Sequence, residues 1–154
     1  MSLKINSKKF LVIGSNSFSG SHFVNQLLLQ GNQVCGVSRS KEPNKVFLPY
    51  KWKENIVKIN DFKKSIDNFK FYSLDLNKNI NEIENLMDDF QPEYVVNFAS
   101  QGMVAQSWLN PTHWYKTNVV SQVALHDVLR KKNFLKKYVH VTTPEVYGST
   151  DEGW

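Results

Sequence analysis

Cysteine is almost absent from this sequence. Cys35 is the only one in 154 residues, which excludes an intrachain disulfide and a cysteine-pair zinc site. It lies in an apolar run and suits a reducing compartment, so the expected location is cytoplasmic. Long apolar stretches are missing too. None approaches the roughly 20 residues that cross a bilayer, and Met1 to Lys9 is too short and polar for a signal peptide. No membrane partner is expected. His22, His113, His126 and His140 have no metal-ligand spacing, no Ser-His-Asp constellation can be placed, and no metal site is expected. Internal repeats and low-complexity tracts are also lacking.

The net charge of +5 comes from lysines scattered in pairs such as Lys8-Lys9, Lys63-Lys64 and Lys131-Lys132. Scattered pairs read as solvated faces. A basic face interleaved with exposed aromatics is not visible, so nucleic acid is not an expected partner. The aromatic content of 13% reads as core.

What is present is an alternation of strand and helix patterns. Lys9 to Gly14 is a short apolar run ending in glycine, as expected of a buried parallel strand. Gly20 to Gln30 repeats apolar residues at helical spacing, and Gly31 closes it. Gln33–Val37, Phe69–Leu74, Tyr94–Ala99 and Tyr138–Val141 read as further strands. Asn81–Phe90 reads as a helix, and so does a stretch from Pro111 to about Lys132. The expected fold class is α/β, a doubly wound parallel sheet of Rossmann type. The connection from Lys41 to Lys70 holds Phe47, Tyr50, Trp52, Ile56, Val57 and Ile59 and predicts a short helix or extra strand.

Between the first strand and first helix lies Gly14-Ser15-Asn16-Ser17-Phe18-Ser19-Gly20. Gly14 allows a sharp turn off the strand, and Gly20 allows close packing of the helix. The intervening backbone N–H groups, through Ser17, Phe18 and Ser19, face a pyrophosphate at the positive end of the helix dipole. After the second strand, Gly36-Val37-Ser38-Arg39-Ser40 places no acid at the strand end, the nearest being Glu42. An acid there would bind the ribose 2′-OH of NAD, whereas Arg39 suits the 2′-phosphate of NADP. The expected cofactor is NADP or NAD, with NADP favoured.

The loop resembles the G-x-x-G-x-x-G loop of the extended short-chain dehydrogenase/reductase family, the NAD-dependent epimerases/dehydratases. Ser17 stands where the middle glycine usually is, and its hydroxyl offers a donor to the pyrophosphate. Asp75-Leu76 resembles the family pair beside the adenine. Asn97-Phe98-Ala99-Ser100-Gln101, then Val104, Ser107, Pro111 and Asn118-Val119, resembles the pattern N-L-A-A-Q-x-x-V-x-x-S-x-x-x-P followed by N-V. The resemblance places Ala99, Ser100, Gln101 and Asn118 at the cofactor.

Thr142-Thr143-Pro144-Glu145-Val146-Tyr147-Gly148 resembles the S-T-D-E-V-Y-G stretch of nucleotide-sugar 4,6-dehydratases. The resemblance makes Thr143 and Glu145 the catalytic candidates: a hydroxyl on the sugar oxygen that becomes a ketone, and a base for the C5 proton. Pro144 replaces the dehydratase aspartate, as also happens in GDP-mannose-type dehydratases; epimerases lack the acid pair. The family's Tyr-x-x-x-Lys pair is absent, since none of the six tyrosines has a lysine four residues on.

Residues 1–154 are therefore expected to be part of a dinucleotide-binding Rossmann domain, with the catalytic helix and substrate domain missing, from a protein about twice as long. That protein is expected to act on a nucleotide sugar through transient C4 oxidation, as a dehydratase or an epimerase, and to be a homodimer at full length. The 154-residue chain alone is expected to be inactive. A non-catalytic dinucleotide-binding module for sensing or scaffolding remains the alternative.

Overall fold

Five apolar runs form one parallel sheet: β1 (Lys9–Ile13), β2 (Gln33–Ser38), β3 (Phe69–Ser73), β4 (Tyr94–Asn97) and β5 (Lys137–His140). A computed structural model describes residues 7–52 and 67–149. The strand order is β3-β2-β1-β4-β5, with Leu11 level with Cys35 on one side and Val95 on the other. The chain builds outward from β1 in one direction and then reverses to β4. That reversal parts the loops after β1 and β4 and opens a crevice at the carboxyl ends of the strands. The expected doubly wound sheet is present.

Side-chain alternation assigns the two faces. Leu11, Ile13, Cys35 and Val37 pack against Ile83, Leu86 and Met87 of helix α2 (Ile80–Phe90). On the same face they meet Leu125, Val128 and Leu129 of a later helix. Val12 and Val34 face the other way, onto Val24, Leu27 and Leu28 of helix α1 (Phe18–Leu29). Each such aliphatic side chain contributes roughly 1.5–3 kcal/mol on burial. Gly31, at a φ of 77°, ends α1 by donating its N–H to the Leu28 carbonyl at 2.9 Å.

The region from Pro111 runs as α4 (Pro111–Tyr115), a π-helical turn (Lys116–Val120) and α5 (Ser121–Leu129). Its end falls three residues before the expected Lys132. A four-residue helix, α3 (Val104–Ser107), precedes it and has no buried residue, so no amphipathic stripe announced it. In the long connection, the expected short helix takes the form of two 3-10 turns, Lys45–Phe47 and Pro49–Lys51. Leu48 and Tyr50 are buried against α1. Ile56, Val57 and Ile59 lie outside the described residues.

Among the described residues, no helix is long and apolar enough to cross a membrane, and no cluster of His, Cys, Asp and Glu could hold a metal ion. Burial pushes the Cys35 thiol up to about 11, which leaves it protonated and unreactive.

Candidate cofactor and substrate site

Both glycines of the loop are required by contact. Gly14 has a φ of 80°, and a Cβ there would meet the Ala99 nitrogen at 2.8 Å and the Phe98 carbonyl carbon at 2.9 Å. Gly14 thus serves the turn and the close passage of the chain leaving β4. A Cβ on Gly20 would overlap the carbonyl oxygen of Gly14, so the first turn of α1 rests on the start of its own loop. Ser17 caps α1, its Oγ accepting from the Gly20 N–H at 3.0 Å. Its own hydroxyl proton remains for donation. The N–H groups of Phe18 and Ser19 have no acceptor among the described residues, and no acid stands in the first turn. This is a cradle for an anion.

A cleft of about 290 Å³ opens beside that loop. It gathers Gly14 and Ser17, then Arg39 beyond β2, Asp75 and Leu76 beyond β3, and Ala99, Ser100 and Gln101 beyond β4. Gly20 is buried behind it. Asp75 shapes the turn after β3, its Oδ1 accepting from the Asn77 N–H at 2.9 Å. Leu76 reaches the cleft from the core, at 6% exposure. A dinucleotide phosphate fits these residues: free amides and two Cβ-free positions in the cradle, with an arginine on the same cleft beyond β2.

The acid nearest to Arg39 is turned to other work. Glu42 accepts from Tyr50 Oη at 2.8 Å and from Lys51 Nζ at 2.7 Å, one partner on each oxygen. Burial, reinforced by Glu42, pushes the Tyr50 phenol well above its usual range. Glu42 therefore ties the 3-10 turns to the β2 loop and does not line the cleft.

A second, wider cleft of about 720 Å³ shares Ser17, Ser100 and Gln101 with the first. Phe18 and Ser19 line it from the loop, Asn118 and Gln122 from the helix, and His140 and Thr143 from the end of β5. Asn118 exchanges two hydrogen bonds with the backbone of Gln101: it accepts from the N–H at 2.7 Å and donates to the carbonyl at 2.9 Å. It thereby shapes the loop that both clefts share. Gln122 accepts from Asn97 Nδ2 at 2.7 Å and donates to the Ala99 carbonyl at 3.1 Å. The backbone of Glu145 belongs to a turn, Pro144–Tyr147; its side chain lies outside the described residues.

The model of the family described as GDP-mannose 4,6 dehydratase matches residues 11–153. The chain belongs to this family. It is a nucleotide-sugar epimerase/dehydratase family within the extended short-chain dehydrogenases/reductases. UDP-glucose 4-epimerase of Pisum sativum is 31% identical over 146 residues, 95% of this chain and 39% of its own length. The trifunctional UDP-glucose 4,6-dehydratase/UDP-4-keto-6-deoxy-D-glucose 3,5-epimerase/UDP-4-keto-L-rhamnose-reductase of Arabidopsis thaliana is 28% identical over 94% of this chain and 20% of its own. The crystal structure of UDP-glucose 4-epimerase from Bifidobacterium longum in complex with NAD+ and UDP superposes with a TM-score of 0.74 at 26% identity. It covers 94% of this chain and 40% of that one. The chain thus spans about two fifths of the length of these two UDP-glucose 4-epimerases.

For this family member, sequence reasoning named the loop, the strand ends and Thr143, all of which meet at the two clefts. Asn16 was given no role of its own within the loop, and Asn77 and Gln122 were not singled out, although these polar side chains hold the loops together. Asn77 donates to Thr117 Oγ1 at 2.9 Å and accepts from Ser121 Oγ at 2.6 Å. The motif around Asn97 was the available signal for Gln122, since a buried asparagine requires a partner. The expectation that the aromatics serve the core holds for Phe10, Tyr50 and Phe69 but not for Phe18 and Trp108, which are 81% and 83% exposed.

Proposed function

We propose that this chain forms the cofactor half-site of an NADP-preferring nucleotide-sugar 4,6-dehydratase or epimerase that acts through transient C4 oxidation of its substrate. The observation that carries the reading is that Thr143 and the loop residues Ser17 to Ser19 line one cleft. A hydroxyl just beyond the carboxyl end of β5, the strand next to β4, then stands within the same space as the Gly14–Gly20 loop. The bound nicotinamide supplies hydride acceptance and return. Thr143 hydrogen-bonds the sugar oxygen as it becomes a carbonyl. Glu145 takes the C5 proton where the reaction is a dehydration.

The NADP preference is supported by Arg39 lining the first cleft while both Glu42 oxygens are engaged elsewhere. Guanidinium pairing with a phosphate is bidentate and charge-assisted. The exposed Tyr115, Val119 and Val123, spaced four apart along the helix, support a homodimer of the full-length protein. The lone, buried Cys35 fits a cytoplasmic setting.

The chain alone is expected to turn over no sugar nucleotide. Burial raises the phenol of Tyr138, with the Asn97 amide working against it, and burial also raises Tyr72. Neither is poised to exchange a proton near neutrality. The test is a titration of NADP+ and NAD+ into the chain, followed by turnover of UDP- and GDP-sugars by the full-length protein at the reduced-nicotinamide absorbance band. Tighter NADP+ binding and a Thr143→Ala loss of about 100-fold in kcat are expected. A full-length protein that binds neither cofactor overturns the reading.

A further inference from the structure

Arg39 sits on a loop that the phosphate loop itself holds in place. The N–H of Asn16 donates to Ser38 Oγ at 2.9 Å. Its side-chain Nδ2 donates to the carbonyls of Ser40 and Lys41, each at 3.1 Å. One asparagine therefore grips the chain on both sides of Arg39. We propose that Asn16 is a positioning residue for cofactor choice, which clamps the Ser38–Lys41 loop so that Arg39 meets an adenosine 2′-phosphate. This rests on the reading of Arg39 given above.

The amide orientation follows from its surroundings. Two carbonyls face one nitrogen, and exchanging nitrogen and oxygen would set three acceptors together. Asn16 Oδ1 is buried and has no hydrogen-bond partner among the described residues. The side chain thus leaves its own acceptor unpaired while its donor holds the loop. From the far side, Tyr50 and Lys51 hold Glu42, the next residue along. The Arg39 loop is consequently anchored at both ends, and the inner anchor belongs to the pyrophosphate loop. Phosphate cradle and 2′-phosphate contact become one unit.

Aspartate is nearly the same shape as asparagine, but it places a charged acceptor against the two carbonyls. Asn16→Asp should therefore release the loop. The experiment titrates NADP+ and NAD+ separately into the chain and into its Asn16→Asp, Asn16→Ala and Arg39→Ala variants by calorimetry, with thermal melts alongside. The readout is the ratio of the two affinities, because a purely structural role weakens both cofactors alike and leaves the ratio fixed. Arg39→Ala should abolish the NADP+ preference, and Asn16→Asp should reduce it roughly tenfold. Should Asn16→Asp fail to fold, Asn16→Ala and Asn16→Ser carry the same test. If Arg39→Ala abolishes the preference while the Asn16 variants keep it within about twofold, this inference is overturned and the role of Arg39 stands. If Arg39→Ala leaves the ratio unchanged, or neither cofactor binds, both fall.

Discussion

The two clefts lie side by side and are built in opposite ways. Around the first, β1 and β2 are buried over most of their length, and the loops are joined by hydrogen bonds from Asn16, Ser38, Asp75 and Asn77. Around the second, three of the four residues of β5 are exposed. The segment after β4 carries Met103, Val104, Trp108 and Leu109 at 69–83% exposure. The difference teaches that the first cleft is finished by hydrogen bonds between loops of this chain, whereas the second presents apolar surface that no described residue covers. The same division agrees with a chain matching about two fifths of the length of those two UDP-glucose 4-epimerases.

Four substitutions or conditions test this contrast. The largest effect is expected from Gly14→Val, which puts a branched side chain at a φ of 80° against the Ala99 and Phe98 backbone. A loss of about 4 kcal/mol in urea unfolding is expected, with dinucleotide binding lost as well. A small loss would mean that the closed region is looser than its contacts imply. Next is Asn97→Leu. Asn97 is fully buried and bonds Gln122, Tyr138 and the Ala99 N–H, so its removal strands several polar groups. About 3 kcal/mol should be lost, and hydrogen exchange at Ala99 should accelerate.

The open side should answer weakly. Trp108→Ser is expected to change unfolding stability by no more than about 0.5 kcal/mol, because Trp108 is 83% exposed. A larger loss would show that this side packs more tightly than its exposure implies. The smallest effect concerns acid. Partial burial, with the nearby His126, holds His140 below its ordinary 6.5. The folded chain therefore binds this proton less readily than the unfolded chain. Stability should fall as pH drops through about 6.5, and His140→Gln should flatten that fall in melts recorded between pH 7.5 and 5.5.

How much could be read in advance depends on the range of the interaction. Strands β1, β2 and β4 were legible because buried parallel strands read as apolar runs, whereas β3 and β5 have no fully buried residue and carried a weaker pattern. The Gly14–Gly20 loop was legible because a glycine turning sharply off a strand answers to local geometry, although the contact of Gly14 with Phe98 and Ala99 was not. The start of α1 at Phe18 in place of Gly20 reflects the Ser17 cap, a side-chain detail that apolar spacing does not carry. Helix α3 has no buried face and left no pattern. Asn16 looked like one polar loop residue among several. Its reach to Ser40 and Lys41 spans 24 and 25 positions, and only the juxtaposition of β1 and β2 creates it.

By itself, then, the sequence determined the α/β alternation, the phosphate loop and the identity of Arg39 at the second strand end, since each follows from residue type and short spacing. Only the tertiary structure decided that Glu42 faces Tyr50 and Lys51, that Asn118 holds Gln101, and that Asn16 grips the Arg39 loop. The Glu42 pairings depend on how the 3-10 turns fold back over 8 and 9 positions; the other two join polar groups 17 to 25 positions apart, which the strand order brings within hydrogen-bond reach.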